Sequence, residues 1–377
     1  MSQNRNNDFF QQASTIVIKI GSAQLVDKQG NIRSEWLHAL CHDIATLKAQ
    51  GKQIIIVSSG AVALGRSALT HYAKQPSLTQ KQAAAATGQI MLCRSYEEAM
   101  ERYHLRTAQL LLTIEDCHNL QRQLNAKNTL KALLQSNVIP IINENDTVAT
   151  TELRFGDNDR LSAHICYLVK AEVLVLLSDV DGMYDKDPSQ HSDAQHIARI
   201  DTIDEHITAM AGPKQTAVGT GGMVTKLDAA KIATAAGCHL VIANGACNAP
   251  LSQLADTNTR CTWFIAQHSP LRANRQWLQH LPPNGYLHID TGAAHAIHSG
   301  KNLLATGITQ VKGHFRKGDA VVMIDTANHS IAKGVCQYHA SDLQKILGQH
   351  SDQIEKILGY HHGNTVVHSD NIFLFSN

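Results

Sequence analysis

The sequence predicts an α/β protein: a mostly parallel open sheet with helices on both faces, followed by a small β-rich C-terminal domain. Three observations carry that expectation. Short, wholly apolar runs alternate with longer segments of helical periodicity, the order of a sheet that is buried on both faces. The residues just after these runs are small, polar or charged, whereas connectors at the other end, such as Leu47–Lys52, are ordinary solvated loops. Beyond residue 281, short runs punctuated by glycine replace the helical segments.

The elements follow in order. Thr15–Ile20 is an apolar run ending at Gly21, and helical spacing starts at Ser34 and lasts to Gly51. Gln53–Ser58 is a second strand, and Ser59-Gly60 leads into an alanine-rich helix through Ala68, which completes a βαβ unit. The pattern then repeats: helix 79–103, strand 106–113, helix 118–136, strand 138–142, helix 158–170, strand 173–178, helix 223–236 and strand 239–243. In open sheets of this kind ligands bind outside the carboxyl ends of the strands. The segments placed there are Lys19–Ser22, Ser58–Ala61, Asn143–Asp146 and Ser178–Gly182.

Composition bounds the function. The 377 residues are 43% hydrophobic and 17% charged, enough for a large core divided between two domains. With 33 basic and 32 acidic side chains the formal charge is +1, so no overall field draws the chain to nucleic acid or membrane. The N-terminal stretch is polar, without the apolar core of a secretion signal, and no run is long enough to span a bilayer; a cytoplasmic location is expected. Eight cysteines are scattered with no C-x-x-C pair, and they read as reduced, mostly buried residues. The 22 histidines never fall in the spacing of a helical zinc site, and no protein metal ligand is expected.

Lys19 is the sharpest single residue. A lysine inside an apolar strand is rare unless paired, and the competing reading is an edge lysine that blunts the sheet. Functionally, its ammonium would meet an anionic oxygen over the strand end, beside the Gly21 and Ser22 N–H groups. In Phe155–Ala163 two carboxylates flank an amide, Asp157-Asn158-Asp159, ahead of an apolar helix. One such residue suffices for an N-cap, so three point to a ligand as well. Asp146 reads the same way, against a plain turn-forming aspartate. Val218–Leu227, VGTGGMVTKL, resembles a phosphate loop but matches neither the P-loop nor the dinucleotide fingerprint. Its glycines admit a ligand to the N-terminus of a helix starting near Met223, and Lys226 lies in the first turn.

The segments VIKIGSA, IIIVSSGAVALGR, AAATGQIML, NVIPIINENDTVAT, FGDNDRLSA, LLSDVDGMYDKDP and VGTGGMVTKLDAAKIA together resemble the amino acid kinase family, in its order and spacing. The resemblance implies the branch that uses ATP to phosphorylate the side-chain carboxylate of L-glutamate, the first step of proline biosynthesis. It assigns Lys19 and Lys226 to the transferring phosphoryl group and Asp159 to orienting both lysines. It assigns Ser59, Asp146 and Asn158 to the substrate, with Asn143 and Asp157 as neighbours. Lys19, Gly21, Ser22, Ser178, Asp179, Thr220, Gly221, Gly222, Met223, Val224, Thr225 and Lys226 fall on the nucleotide side. Mg²⁺ is expected to arrive on the ATP phosphates. One departure is Ala23, where the family carries a second hydroxyl residue. The family also implies a dimer or tetramer, and feedback inhibition by proline.

The expected boundaries are a polar tail at 1–14, a kinase domain at 15–266, a linker at 267–280 and a second domain at 281–377. The segments IDTGAAHAI, SGKNLLATGI, GHFRKGDAVVMI and AKGVCQYHASDLQKILG resemble a PUA domain, a module named for RNA-modifying enzymes. An RNA-binding role through that domain is disfavoured, because residues 281–377 hold few lysines or arginines and no aromatic series for stacking bases. A sibling kinase acting on N-acetylglutamate or aspartate is the nearer alternative, disfavoured by the PUA-like domain and by FGDNDRLSA.

Overall fold

The structure, a computed structural model, describes residues 6–148, 157–212, 222–256, 259–270, 282–360 and 363–375, with Asn6, Asn7, Leu120 and Asp157 described in their backbone only. The chain divides into two compact units: Met1–His118 with Asn125–Pro270, and Asn119–Leu124 with Leu271–Asn377.

The strands of the larger unit are β1 (Thr15–Ile20), β2 (Gln53–Ser58), β3 (Arg106–Leu112), β4 (Val138–Glu144), β5 (Val173–Ser178), β6 (Met183–Tyr184), β7 (His196–Ile197), β8 (Arg199–Ile200), β9 (His239–Asn244) and β10 (Cys261–Phe264). Eight of them form one sheet in the order β3-β4-β2-β1-β5-β9-β10-β8, and β6 pairs with β7 apart from it. β1 to β5 and β9 pair in parallel, and β10 runs antiparallel to β9. The fold class expected from the alternation holds. The carboxyl ends of β1, β2, β4, β5 and β9 therefore share one edge.

The helices of this unit are α1 (Asn6–Gln12), α2 (Ser22–Leu25), α3 (Ser34–Ala49), α4 (Ala61–Gly65), α5 (Leu78–Glu101), α6 (Ile114–His118), α7 (Leu120–Gln135, from Asn125 on), α8 (Asp157–Val169), α9 (Glu205–Met210), α10 (Met223–Ala235) and α11 (Pro250–Leu254). Alternation along the strands sorts the core onto two faces. Ile16, Ile18, Ile20, Ile54 and Ile56 pack with Trp36 and Leu40 of α3 and Leu92 and Tyr96 of α5. Val17, Val57, Leu174 and Leu176 pack with Leu161 and Ile165 of α8 and Ala229 and Ala233 of α10. Lys19 follows Val17 on the second face, so it points to the side that carries α8 and α10. It pairs with Val57 on one side and Leu176 on the other, in the middle of the sheet, which rules out the edge-lysine reading.

Two expected boundaries shift. β4 runs to Glu144 rather than stopping at Ile142, because its register with β3 continues through Leu111↔Asn143 and Leu112↔Glu144. Asn143 is thus the penultimate residue of a strand, not a loop residue. The helix expected over 118–136 is two helices, α6 and α7, since Asp116 closes a turn on Thr113 and Asn119 accepts from the Arg122 N–H to start α7 afresh. The short strands β8 and β10 had no periodic signal, and they complete the sheet next to β9.

In the smaller unit β11 (Gly285–Ile289), β12 (Leu303–Leu304), β13 (Ile308–Gly313), β14 (Ala320–Ile324), β15 (Ser330–Cys336) and β16 (Thr365–Leu374) form a six-stranded mixed sheet, ordered β12-β16-β15-β14-β11-β13. Leu287, Val321, Met323 and Val366 fill its core together with Ile297 of α12 (Thr291–His298), Leu343 of α13 (Ala340–Lys345) and Ile354 of α14 (Ser351–Leu358). The β-rich character read from the glycine spacing is what is found.

Candidate active site

α8 starts at the shared carboxyl edge, and its first residues point two ways. Successive helical positions are rotated by about 100°, so Asn158 and Asp159 address different neighbours.

Asp159 is wholly buried. Its Oδ1 lies 2.5 Å from Lys19 Nζ, and its Oδ2 lies 3.7 Å from Lys226 Nζ in the first turn of α10. The Thr225 hydroxyl donates to the same Oδ2 at 2.9 Å. Burial pushes the Asp159 pKa up, but Lys19 and then Lys226 outweigh it and hold the carboxyl below its ordinary range. Burial also lowers the Lys226 pKa; Asp159 opposes this, and Lys19 adds to it. Two lysines and one aspartate, almost out of water, leave a net positive cluster at the end of β1. Arg160, one residue on, reaches Asp228 of α10 at 2.5 Å and ties the starts of α8 and α10 together.

Asn158 turns toward β2 and β4. Its Nδ2 faces Ser59 Oγ at 2.7 Å, Asn143 Oδ1 at 2.9 Å and Ser58 O at 3.2 Å. Asn143 in turn donates to Gln89 Oε1 of α5 at 2.8 Å. The Ser58 hydroxyl is 3.0 Å from the Tyr96 hydroxyl in the core. Gly60 adopts φ 110°, a left-handed conformation that favours glycine, and it swings the chain from β2 into α4 directly after Ser59. Asp146 belongs to a neighbouring cleft of about 220 Å³, lined also by Gln89, Ile90, Gln109 and Thr147. Gln89 joins the two, lining the cleft and holding Asn143.

Of the residues that the sequence resemblance assigns to the nucleotide, Ser178 ends β5 and Asp179 follows it, with the Ser178 hydroxyl donating to Asp179 Oδ1 at 3.0 Å. Asp179 is close enough to Lys226 to raise its pKa. The Gly21 N–H, expected as a phosphate donor, instead donates to Leu177 O at 3.3 Å and continues the sheet pairing. Ser22 follows as the first residue of α2. Gly222 is the extended residue before α10, whose first turn holds Met223, Val224, Thr225 and Lys226. Thr220, Gly221 and the Phe155–Gly156 lead-in lie outside the described residues, as does the side chain of Asp157.

The structure therefore brings Lys19, Asp159, Thr225 and Lys226 into one cluster, and Ser59, Asn143 and Asn158 into the next. The sequence reading did not single out Gln89 or Tyr96. Gln89 did give a signal, as a polar residue beside glycine in an otherwise alanine-rich stretch. Asn244-Gly245 at the end of β9 obeys the same strand-end rule as the other loops and was also missed; the Gly245 N–H donates to Ser178 O at 2.8 Å.

Comparison with known proteins agrees with this geometry. The amino acid kinase family model matches residues 14–244, and the PUA domain model matches residues 285–358. A glutamate 5-kinase of Ruegeria sp. (strain TM1040) is 46% identical over 96% of this chain and 98% of its own length. Glutamate 5-kinases of Agrobacterium fabrum and Paramagnetospirillum magneticum are 45% and 44% identical over 95% and 96% of this chain, and over 92% and 98% of their own lengths. With the family model and these full-length relatives in agreement, the chain belongs to the amino acid kinase family, in its glutamate 5-kinase group, and carries a C-terminal PUA domain.

Proposed function

We propose that this chain transfers the γ-phosphoryl group of ATP to the side-chain carboxylate of L-glutamate, giving ADP and L-glutamyl 5-phosphate. The observation that carries the reading is the buried Lys19–Asp159–Lys226 cluster, one helical residue away from the Asn158–Ser59–Asn143 cluster at the same sheet edge. The relatives, glutamate 5-kinases themselves, supply the substrate.

The chemistry asks little of a general base. A carboxylate with a pKa near 4 is ionised at neutral pH, so the task is to bring two anions together and to neutralise charge on the transferring group and leaving ADP. Lys19 and Lys226 supply two ammonium groups from different elements, and Asp159 holds both in place. Asn158 and Ser59 bind glutamate, and Asp146 or Asp157 pairs with its α-ammonium while the reactive carboxylate faces the lysines. Ser178, Asp179, Ser22 and the residues from Thr220 to Lys226 take the nucleotide. Mg²⁺ enters with the ATP phosphates. The lysines are then the protein's own counter-charge to the phosphates.

The same reading includes a homo-oligomer, inhibition by proline and a cytoplasmic location; among the described residues no helix is long and apolar enough to cross a membrane. It places the kinase domain at 15–266 and the PUA domain at 281–377. One assay tests the activity: protein, Mg-ATP and L-glutamate, with acyl phosphate trapped by hydroxylamine. Hydroxamate with glutamate is expected; product only with aspartate or N-acetylglutamate would overturn the substrate.

A further inference from the structure

The amide side chains beside the lysine cluster form a chain with a direction. Asn158 Nδ2 faces three acceptors within 3.2 Å, whereas its Oδ1 is buried and has no hydrogen-bond partner among the described residues. Turning that amide over would set an oxygen against Ser58 O and Asn143 Oδ1, so its orientation is held by the Ser58 carbonyl together with Asn143, and is firmest while Asn143 presents an oxygen. Asn143 is fixed at both ends. Its Oδ1 accepts from the Glu144 N–H at 2.9 Å, and its Nδ2 donates to Gln89 Oε1 at 2.8 Å. Gln89 is buried, and its own Nε2 is turned to Cys93 Sγ at 3.3 Å. The backbone beneath it cannot drift: a Cβ on the adjacent Gly88 would fall 1.9 Å from Ala61 O of α4. A fixed acceptor on α5 thus joins the Glu144 N–H and Ser58 O in setting which way two asparagines point.

We propose that Gln89 is a positioning residue. By accepting from Asn143 it keeps the Asn158 amide turned so that Oδ1 is offered as the acceptor for an ammonium group on the substrate. A buried carbonyl oxygen without a partner is costly until a donor arrives, and a charged N–H donor gives the stronger bond. The site then selects an acid that carries a free α-amino group, a role distinct from the lysines' hold on the phosphoryl group. The inference rests on the proposed phosphorylation of glutamate and deepens it.

The test uses the full chain with Gln89→Met and Gln89→Glu. The first removes the acceptor; the second keeps an oxygen that can only accept. With Gln89→Met, KM for glutamate rises about tenfold, the effect of losing one well-placed hydrogen bond, while kcat and KM for ATP stay within about twofold. The inhibition constant of glutarate, which keeps both carboxylates and lacks the ammonium, does not change. Gln89→Glu restores KM to within about threefold of the wild type, and it decides the matter if the methionine variant fails to fold. An unchanged KM in Gln89→Met overturns the proposal. So does a parallel rise for glutarate, or a Gln89→Glu variant whose kcat and KM for ATP are impaired as much as its KM for glutamate, since each marks plain packing. Absence of product from the wild type with glutamate, by contrast, defeats the activity itself; the variants are then compared on whichever amino acid is accepted and its deaminated analogue.

Discussion

Replacing Asp159 by asparagine keeps the shape of the side chain and removes its charge. In the folded protein that carboxylate is wholly buried, 2.5 Å from one lysine nitrogen and 3.7 Å from the other. At an effective dielectric of 20, the attraction at the longer distance alone is about 4 kcal/mol, and desolvation of the charges offsets part of it. Removing one partner of a buried pair costs about 3–5 kcal/mol, because the other charge stays behind uncompensated. We expect a loss of about 3 kcal/mol, which lowers Tm by roughly 6–12 °C in a unit of this size. The kinetic effect should be larger. Burial and Lys19 already push the Lys226 pKa down, and Asp159 is the main group opposing them, so without it Lys226 loses its proton at lower pH. Turnover should fall about a hundredfold at neutral pH, the order of losing a preorganised charge contact, and the deficit should widen as pH rises. On the acid side the sign reverses. The Asp159 pKa is held below its ordinary 3.8 in the folded state, so its stabilisation is present above that value and is lost as pH falls through the folded pKa. The variant should therefore lose less stability on acidification than the wild type. ADP release measured between pH 6 and 9, with calorimetric Tm over an acid series, reads both effects. Wild-type turnover across that range in a folded Asp159→Asn protein would refute the role of the cluster.

Lys226→Met should lower kcat about 10²- to 10³-fold and leave both KM values within a few-fold, as expected of a contact made in the transition state; a change confined to KM would move Lys226 out of the transfer step. Gly88→Ala should cost about 2 kcal/mol or more, seen as a lower urea midpoint at constant m, because the new Cβ would meet Ala61 O at 1.9 Å and force α4 from α5. Excess EDTA should abolish turnover and added Mg²⁺ restore it, with Tm of the nucleotide-free protein unmoved; a Tm drop on chelation would reveal a metal held by the protein itself.

The parts of the fold legible in the sequence are those where one pattern has one physical cause. Apolar runs such as Gln53–Ser58 and Val173–Ser178 are buried on both faces, and their length and turns mark them without ambiguity. Lys19 is legible for the converse reason: a cation inside such a run has to find a partner. What could not be read is pairing between distant residues. Nothing in residues 84–92 says that Gln89 meets Asn143, which is 54 positions away. Strands β8 and β10 escape because two to four residues carry no period; their place is set by hydrogen bonds from β9 and from one another. The Gly21 N–H was read as free because a strand end looks the same in sequence whether or not its neighbour extends one residue further. Here β5 does extend, and Leu177 O accepts the hydrogen bond.

The division of labour at the start of α8 follows from helix geometry alone. Asn158 and Asp159 are neighbours in sequence, but a rotation of about 100° sends one amide to β2 and β4 and one carboxylate to β1 and α10. In the proposed reaction a neutral group meets the acceptor substrate, and an anion gathers the cations that meet the phosphoryl group. If the two were exchanged, Lys19 and Lys226 would lose their anion, and Ser58 O and Asn143 Oδ1 would lose the amide donor they face. The order Asn-Asp at the first turn, which the sequence already marks as pointing to a ligand as well as a cap, in the proposed reaction keeps two negatively charged reactants on opposite sides of one helix end.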